Sequence, residues 1–233
     1  MAGALLVLAL FHWEVTLLFL LLVLWKVLSE KRSRVLLGFG MAFTVLSILS
    51  FLIDPGWLLP FVIASLKMAG SDFGTSSFVV LTRLSPDFGT RIAQGVAGLI
   101  VILLAYEWAG TRSSDFRRFV WVSCLTLAAT PLIGIRTDLG SLVVLFPGLV
   151  LVFAGTLGRW RIGHWLTVLL YLIVLGVPWW LYYRFVTFHD QASQDYLFLF
   201  FPLLGIGGLY WIRWWIFRPP RTWLEQVQSK ANP

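Results

Sequence analysis

Long apolar stretches recur along the chain and are separated by short polar connections. The stretches lie at about Gly3–Trp25, Val35–Ile53, Arg91–Ala109, Phe119–Ile135, Gly140–Leu157, Trp165–Tyr183 and Tyr196–Phe217. Each approaches the roughly 20 residues that an α-helix needs to cross a bilayer. They do not alternate residue by residue, as the strands of a membrane β-barrel do. The pattern predicts an all-α, polytopic membrane protein with about seven transmembrane helices.

The connection from Asp54 to Thr90 is the longest in the chain. It opens with Asp54-Pro55-Gly56, which ends the preceding helix. Two apolar runs follow, "WLLPFVIASLKM" and "SSFVVLTRLSPDFG". Both are too short to cross a bilayer, so we predict short interfacial helices here. A long connection of this kind is more often functional than not, so its face is where we expect a site.

The composition agrees with a membrane protein. The 233 residues are 59% hydrophobic and 12% charged, about half of the ~25% charged residues of soluble domains. Most of the thirteen tryptophans lie where apolar stretches meet polar residues, as in the aromatic belts of membrane proteins. Cys124 is the single cysteine and the three histidines are scattered. We therefore expect no internal disulfide, no metal site and no cofactor.

The basic residues fall into two unequal sets of connections. Thirteen lie in one set and five in the other, which accounts for all eighteen. The positive-inside rule makes the larger set, which includes Arg118 and Arg213, cytoplasmic, with Met1 outside. Arg83 and Asp195 then fall on the outer side, and Glu107 falls on the inner side or near it. We therefore expect a single transmembrane domain over 1–217 and a cytoplasmic tail over 218–233, in a bacterial or archaeal cell membrane. The basic residues form no single patch, which argues against a nucleic acid partner.

His12 and Glu14 lie inside the first apolar stretch, where polar side chains are costly. Residues two apart on an α-helix point about 200° apart, so they do not share one face. In one arrangement the helix is continuous and Glu14 is buried against a Thr or Tyr hydroxyl. In the other the helix breaks near Phe11–Trp13 and the helix dipole favours Glu14 at the start of the second piece. Both make Glu14 a buried polar group that faces protein, with or without a catalytic role.

Arg136 and Asp138 lie in a tight connection between the fourth and fifth stretches. An arginine held near lipid headgroups can fork onto a phosphate. Arg83 and Lys67, from the long connection, would then join Arg136 around the same anion. The alternative is a structural ion pair, in which Asp138 is a buried polar partner of Arg136.

The order of several motifs suggests a relationship. The chain runs through "ALLVLALFHWEVTLLFLLLVLW", "KRSR", "VLLGFGMAFTVLSIL", "DPGWLLPFV", "GTSSFVVLTRL" and "TPLIGIRTDLGSLVVLFPGLVLV". This order resembles the C-terminal half of family 87 of the GT-C glycosyltransferases, a polyprenol-phosphate-dependent, mannosyltransferase-like group. The resemblance covers most of Ala4 to Gly155. His12 stands where the family commonly has a lysine, so the resemblance places it near the lipid-phosphate end of a cavity.

The resemblance implies transfer of a sugar from a polyprenyl phosphate donor at the extracytoplasmic face. GT-C enzymes carry a catalytic acidic residue on an earlier outer loop, so we expect this chain to be incomplete as an enzyme on its own. Its own catalytic residue stays unknown. The alternative is a non-catalytic accessory or assembly subunit that packs against a partner membrane protein. A transporter is a third hypothesis, which rests on Glu14.

Overall fold

The computed structural model of the protein describes residues 2–31, 33–70, 76–111, 116–135, 139–157, 163–189 and 191–217. Over these ranges the chain is helical and contains no strand, which confirms the predicted all-α class. The α-helices are α1 (Ala2–Leu5), α2 (Trp13–Ser29), α3 (Ser33–Ile53), α4 (Leu58–Gly70), α5 (Ser77–Leu84), α6 (Gly89–Ala109), α7 (Phe116–Ala129), α8 (Phe146–Leu157), α9 (Gly163–Phe188) and α10 (Gln191–Phe217). Segments of 3₁₀-helix cover Leu6–His12, Thr130–Ile133 and Leu139–Leu145.

Six helical stretches of the described chain are long and apolar enough to cross a membrane. They are Ser33–Ile53, Gly89–Ala109, Phe116–Ile133, Gly140–Leu157, His164–Phe188 and Asp195–Trp214. They correspond to the last six predicted spans. α2 adds an apolar helix of 17 residues, roughly 25 Å long at about 1.5 Å per residue. The fold is that of a polytopic, helical membrane protein.

α7 lies at the centre of the bundle and contacts α2, α6, α8 and α10. Trp121 and Leu125 of α7 are fully buried and share one apolar cluster with Leu22 of α2, Leu104 of α6 and Leu209 of α10. α3 lies at the periphery, because none of its residues is buried. The core therefore forms around α7, and α3 presents its apolar side chains outward.

The first apolar stretch changes helix geometry at His12. A 3₁₀-helical segment ends there and α2 begins at Trp13, which puts Glu14 in the first turn of α2. The Thr16 hydroxyl donates a hydrogen bond to the Ala9 carbonyl of the preceding segment. Of the two arrangements considered for Glu14, the structure therefore has the broken helix. The unpaired N–H groups and the positive dipole end of α2 favour a carboxylate at that position.

The segment before α2 folds back toward the other end of that helix. Gly3 lies directly against the backbone of Val35 and Phe39, in the first turns of α3. Because α3 begins four residues after α2 ends, Gly3 lies near the α2–α3 connection. The predicted span over Gly3–Trp25 therefore does not cross the bundle as one helix, because the segment before α2 runs back along α2. Gly3 also lies next to Gly38 of α3, and the lack of a side chain at both positions allows this close approach.

The long connection contains two short helices, as the sequence predicts. α4 has 13 residues and α5 has 8, so neither reaches across a membrane. α5 is two-sided, since Ser77 and Val80 are buried while Arg83 and Leu84 are exposed. Its buried side packs against α6, α10 and the Thr130–Ile133 segment.

Candidate functional site

α5 is fixed to the bundle at both its start and its side. The Ser76 side chain accepts a hydrogen bond from a backbone N–H in the first turn, which caps the helix. The Ser77 hydroxyl donates to the Leu132 carbonyl at 2.9 Å. Gly134 has a φ of 101° and lies against the Phe78 ring, where a Cβ has no room. These contacts set the position of the residues in the last turn of α5.

Arg83, in that last turn, pairs with Asp195 of α10. Its Nη1 lies 3.1 Å and 3.5 Å from the two carboxylate oxygens. The Asp195 side chain is 4% exposed and the Arg83 side chain is 50% exposed. A buried carboxylate needs such a partner, and in return it fixes the guanidinium. Both contacts are made by Nη1.

Glu14 lies at the same end of the bundle as this pair. α2 packs against the Thr130–Ile133 segment, to which Ser77 of α5 also binds. Val15 is buried and Glu14 is partly buried. The structure thus brings the start of α2 and the end of α5 to one side of the molecule.

The other predicted phosphate-binding residues are only partly covered by the structure. Lys67 lies on α4 and His12 ends a 3₁₀ segment, but their side chains lie outside the described residues. Arg136 and Asp138 lie wholly outside them. A cluster of these side chains with Arg83 around one anion therefore stays a prediction, as does the alternative ion pair.

A second polar cluster lies at the opposite end of α6, which has 21 residues and is roughly 30 Å long. Its centre is Glu107, whose side chain is 2% exposed. Arg213 of α10 approaches one carboxylate oxygen at 2.7 Å, and Arg118 of α7 approaches the other at 3.8 Å. The Thr111 hydroxyl donates to the Glu107 carbonyl at 2.8 Å. The cluster joins three helices through one buried carboxylate.

Aromatic rings cover the Arg213 guanidinium in this cluster. Its central carbon lies 5.7 Å from the Trp121 ring centre and 5.9 Å from that of Tyr210, within the range of cation–π attraction. The Trp121 indole N–H donates to the Leu209 carbonyl at 2.8 Å. Arg213 is thus held by charge and by packing together.

Lys26 extends the same cluster to α2. Its Nζ lies 2.8 Å from Glu30 and donates to the Thr111 carbonyl at 3.0 Å. It also lies 5.3 Å from the centre of the Phe119 ring. These contacts stabilise the packing of α2 against the end of α6 and the start of α7.

The sequence did not predict the Arg83–Asp195 pair or the contacts of Glu107 with Arg118 and Arg213. It assigned Arg83 and Asp195 to the same face of the membrane, and it assigned Glu107, Arg118 and Arg213 to the cytoplasmic side or close to it. The sequence did indicate that the members of each pair lie on the same side of the membrane, because each charged residue lies near the end of an apolar stretch.

Among the described residues, no group of three or more His, Cys, Asp and Glu side chains is arranged to hold a metal ion. Comparison with protein-family models, with curated proteins and with solved structures finds no match to the chain.

Proposed function

We propose that the protein binds the phosphate of a polyprenyl lipid at the Arg83 end of the bundle, as a relative of the lipid-linked-sugar glycosyltransferases acting at the extracytoplasmic face. The observation that carries this proposal is the Arg83–Asp195 pair. It joins a half-exposed guanidinium on the short helix α5 to a buried carboxylate on α10.

A positioned guanidinium suits a phosphate for two physical reasons. Its planar fork matches phosphate oxygens, and a side chain already held in place loses less conformational entropy on binding. Asp195 supplies that positioning from a buried site. The pair itself is electrically neutral, so the net positive charge would come from Arg136 and Lys67, with His12 as a further polar contact.

Sugar transfer would also need a carboxylate to act as a base. Asp195 is buried and paired with Arg83, so it suits a positioning role. Glu14 lies at the same end and forms no ion pair within the described residues, and it is the candidate base. The resemblance to the GT-C family supports this class of reaction with a polyprenyl phosphate donor.

Binding of a polyprenyl phosphate to the purified protein in nanodiscs tests the proposal. Charged hydrogen bonds contribute about 1.5–3 kcal/mol, so Arg83→Ala is expected to weaken binding about tenfold or more. Arg91→Gln is the control. Arg91 is also exposed, and it lies in the first turn of α6, which directly follows α5. Equal affinities for both variants and the unmodified protein would contradict the proposal.

A second candidate is a non-catalytic subunit that packs against another membrane protein. The supporting observation is α3, which has 21 residues and none of them buried. Gly40 on this helix has open space where a Cβ would stand, and small residues allow close helix contacts in membranes. Gly40→Leu would then release a co-purifying membrane protein, while polyprenyl phosphate binding would stay unchanged.

A further inference from the structure

An apolar groove lies between α2, α3 and the 3₁₀ segment that precedes α2. Its walls include Leu6, Leu17, Leu21, Leu24, Val35 and Phe39. It encloses about 130 Å³ and has almost no polar lining. A cavity of roughly 150 Å³ with such a lining excludes water and binds small hydrocarbons. The groove therefore has the size and chemistry for part of a hydrocarbon chain.

One end of the groove reaches the connection between α2 and α3. Val27 and Val35 line the groove and flank this connection. Lys31 and Arg34 lie there with exposed side chains. Exposed basic residues next to a membrane attract anionic lipid headgroups. The apolar lining is thus followed along the chain by two exposed basic residues.

We infer that this groove holds one acyl chain of an anionic phospholipid, whose phosphate contacts Lys31 and Arg34. The site is separate from the proposed phosphate site, because Lys26 and Glu30 tie the α2–α3 connection to the Glu107 end of the bundle. The failure of either proposal leaves the other intact.

The small volume of the groove favours this ligand over a helix of another protein or of a second copy. An α-helix with its side chains is about 10–12 Å across, so it would lie over this space of about 130 Å³ and not within it. An extended acyl chain is much thinner and can lie along the leucines of α2. The basic residues at one end then select the charge of the headgroup.

Native mass spectrometry of the detergent-purified protein tests the inference with two lipids, dioleoyl phosphatidylglycerol and dioleoyl phosphatidylcholine. One phosphatidylglycerol is expected to remain bound with at least about fivefold preference, which matches about 1 kcal/mol for a basic residue at the membrane surface. Lys31→Gln with Arg34→Gln should remove that preference and leave phosphatidylcholine binding unchanged.

A tryptophan in the groove provides the complementary variant. Leu21→Trp should reduce retention of both lipids, since Leu21 lines the groove and is 45% exposed. Leu28→Trp is the control, because Leu28 is 58% exposed on the same helix. Equal retention of the two lipids, or unchanged retention in Leu21→Trp, would overturn the inference. A lipid-free dimer that is lost in Leu21→Trp would also overturn the inference, because it would show that a second copy of the chain occupies the groove.

The charge variants keep the test decisive if Leu21→Trp does not fold. Lys31 and Arg34 are exposed, so their replacement by glutamine leaves the bundle intact, as gel filtration would verify. A phosphatidylglycerol preference that survives both replacements would refute the inference by itself.

Discussion

The Arg213 guanidinium lies 2.7 Å from the Glu107 carboxylate, whose side chain is 2% exposed. This contact joins α6 to α10 at the end of the bundle opposite Arg83. α10 also carries Asp195 near its start. The packing of this one helix therefore fixes the partner that positions Arg83.

Glu107→Gln should lower the stability of the protein. The change removes the negative charge that Arg213 and Arg118 both approach, and removing one member of a buried ion pair costs roughly 3–5 kcal/mol. The arginines are about one-third exposed, so we expect a loss of about 2 kcal/mol. Thermal unfolding in detergent measures it.

Glu30→Gln is the control for this variant. Glu30 pairs with Lys26 one helical turn away and is 24% exposed, so its pair contributes only about 0.5 kcal/mol. An equal fall in melting temperature for both variants would contradict the structural role given to Glu107.

Gly134→Ala should detach α5 from the bundle. Gly134 has a φ of 101°, and an added Cβ would overlap the Phe78 ring. The strained backbone alone costs about 1–3 kcal/mol, so we expect a lower melting temperature and faster amide exchange in α5. Gly207→Ala is the control, because Gly207 has open space at its Cβ position. Comparable behaviour of the two variants would argue against this packing.

Cysteines in place of Leu6 and Val35 should cross-link, with Cys124 replaced by alanine. Both side chains line the same groove, because the segment before α2 folds back. One continuous span over 3–25 would instead separate them by about the 30 Å thickness of the hydrocarbon core. A short bis-maleimide reagent distinguishes the two cases. Cross-linking of Leu6 to Ile53 at the far end of α3, but not to Val35, would contradict the fold.

Reporter fusions should place the two ends of the bundle on opposite sides of the membrane. The thirteen-to-five division of basic residues predicts a cytoplasmic C-terminus. A reporter that is active only outside the cytoplasm should therefore be inactive after Pro233 and active when inserted between α4 and α5. The reverse pattern would overturn the proposed orientation, and with it the extracytoplasmic site.

The long helices were predictable because crossing a bilayer requires about 20 apolar residues whatever their neighbours are. The change at His12 was harder to predict, since both sides of it are apolar. It depends on the contact of Gly3 with Val35, which joins distant parts of the chain. A break near His12 could be considered from the sequence, but the direction of the segment could not.

The Arg83–Asp195 and Glu107–Arg213 pairs were also predictable only in part. Charge distribution assigns Arg83 and Asp195 to one side, because polar residues gather at the ends of membrane helices. It does not determine which helices are neighbours or how each is rotated. Those features follow from the packing around Trp121 and Leu125 of α7. The sides of the charged residues were therefore predictable, and their partners were not.

The affinity for a polyprenyl phosphate relative to the corresponding polyprenol tests the central claim most directly. The two lipids share a chain, so their difference isolates the contribution of the phosphate. We predict that the unmodified protein prefers the phosphate and that Arg83→Ala reduces this preference about tenfold or more, while Arg91→Gln retains it. A preference that is absent from the unmodified protein, or that Arg83→Ala leaves unchanged, would contradict phosphate recognition at the Arg83–Asp195 pair.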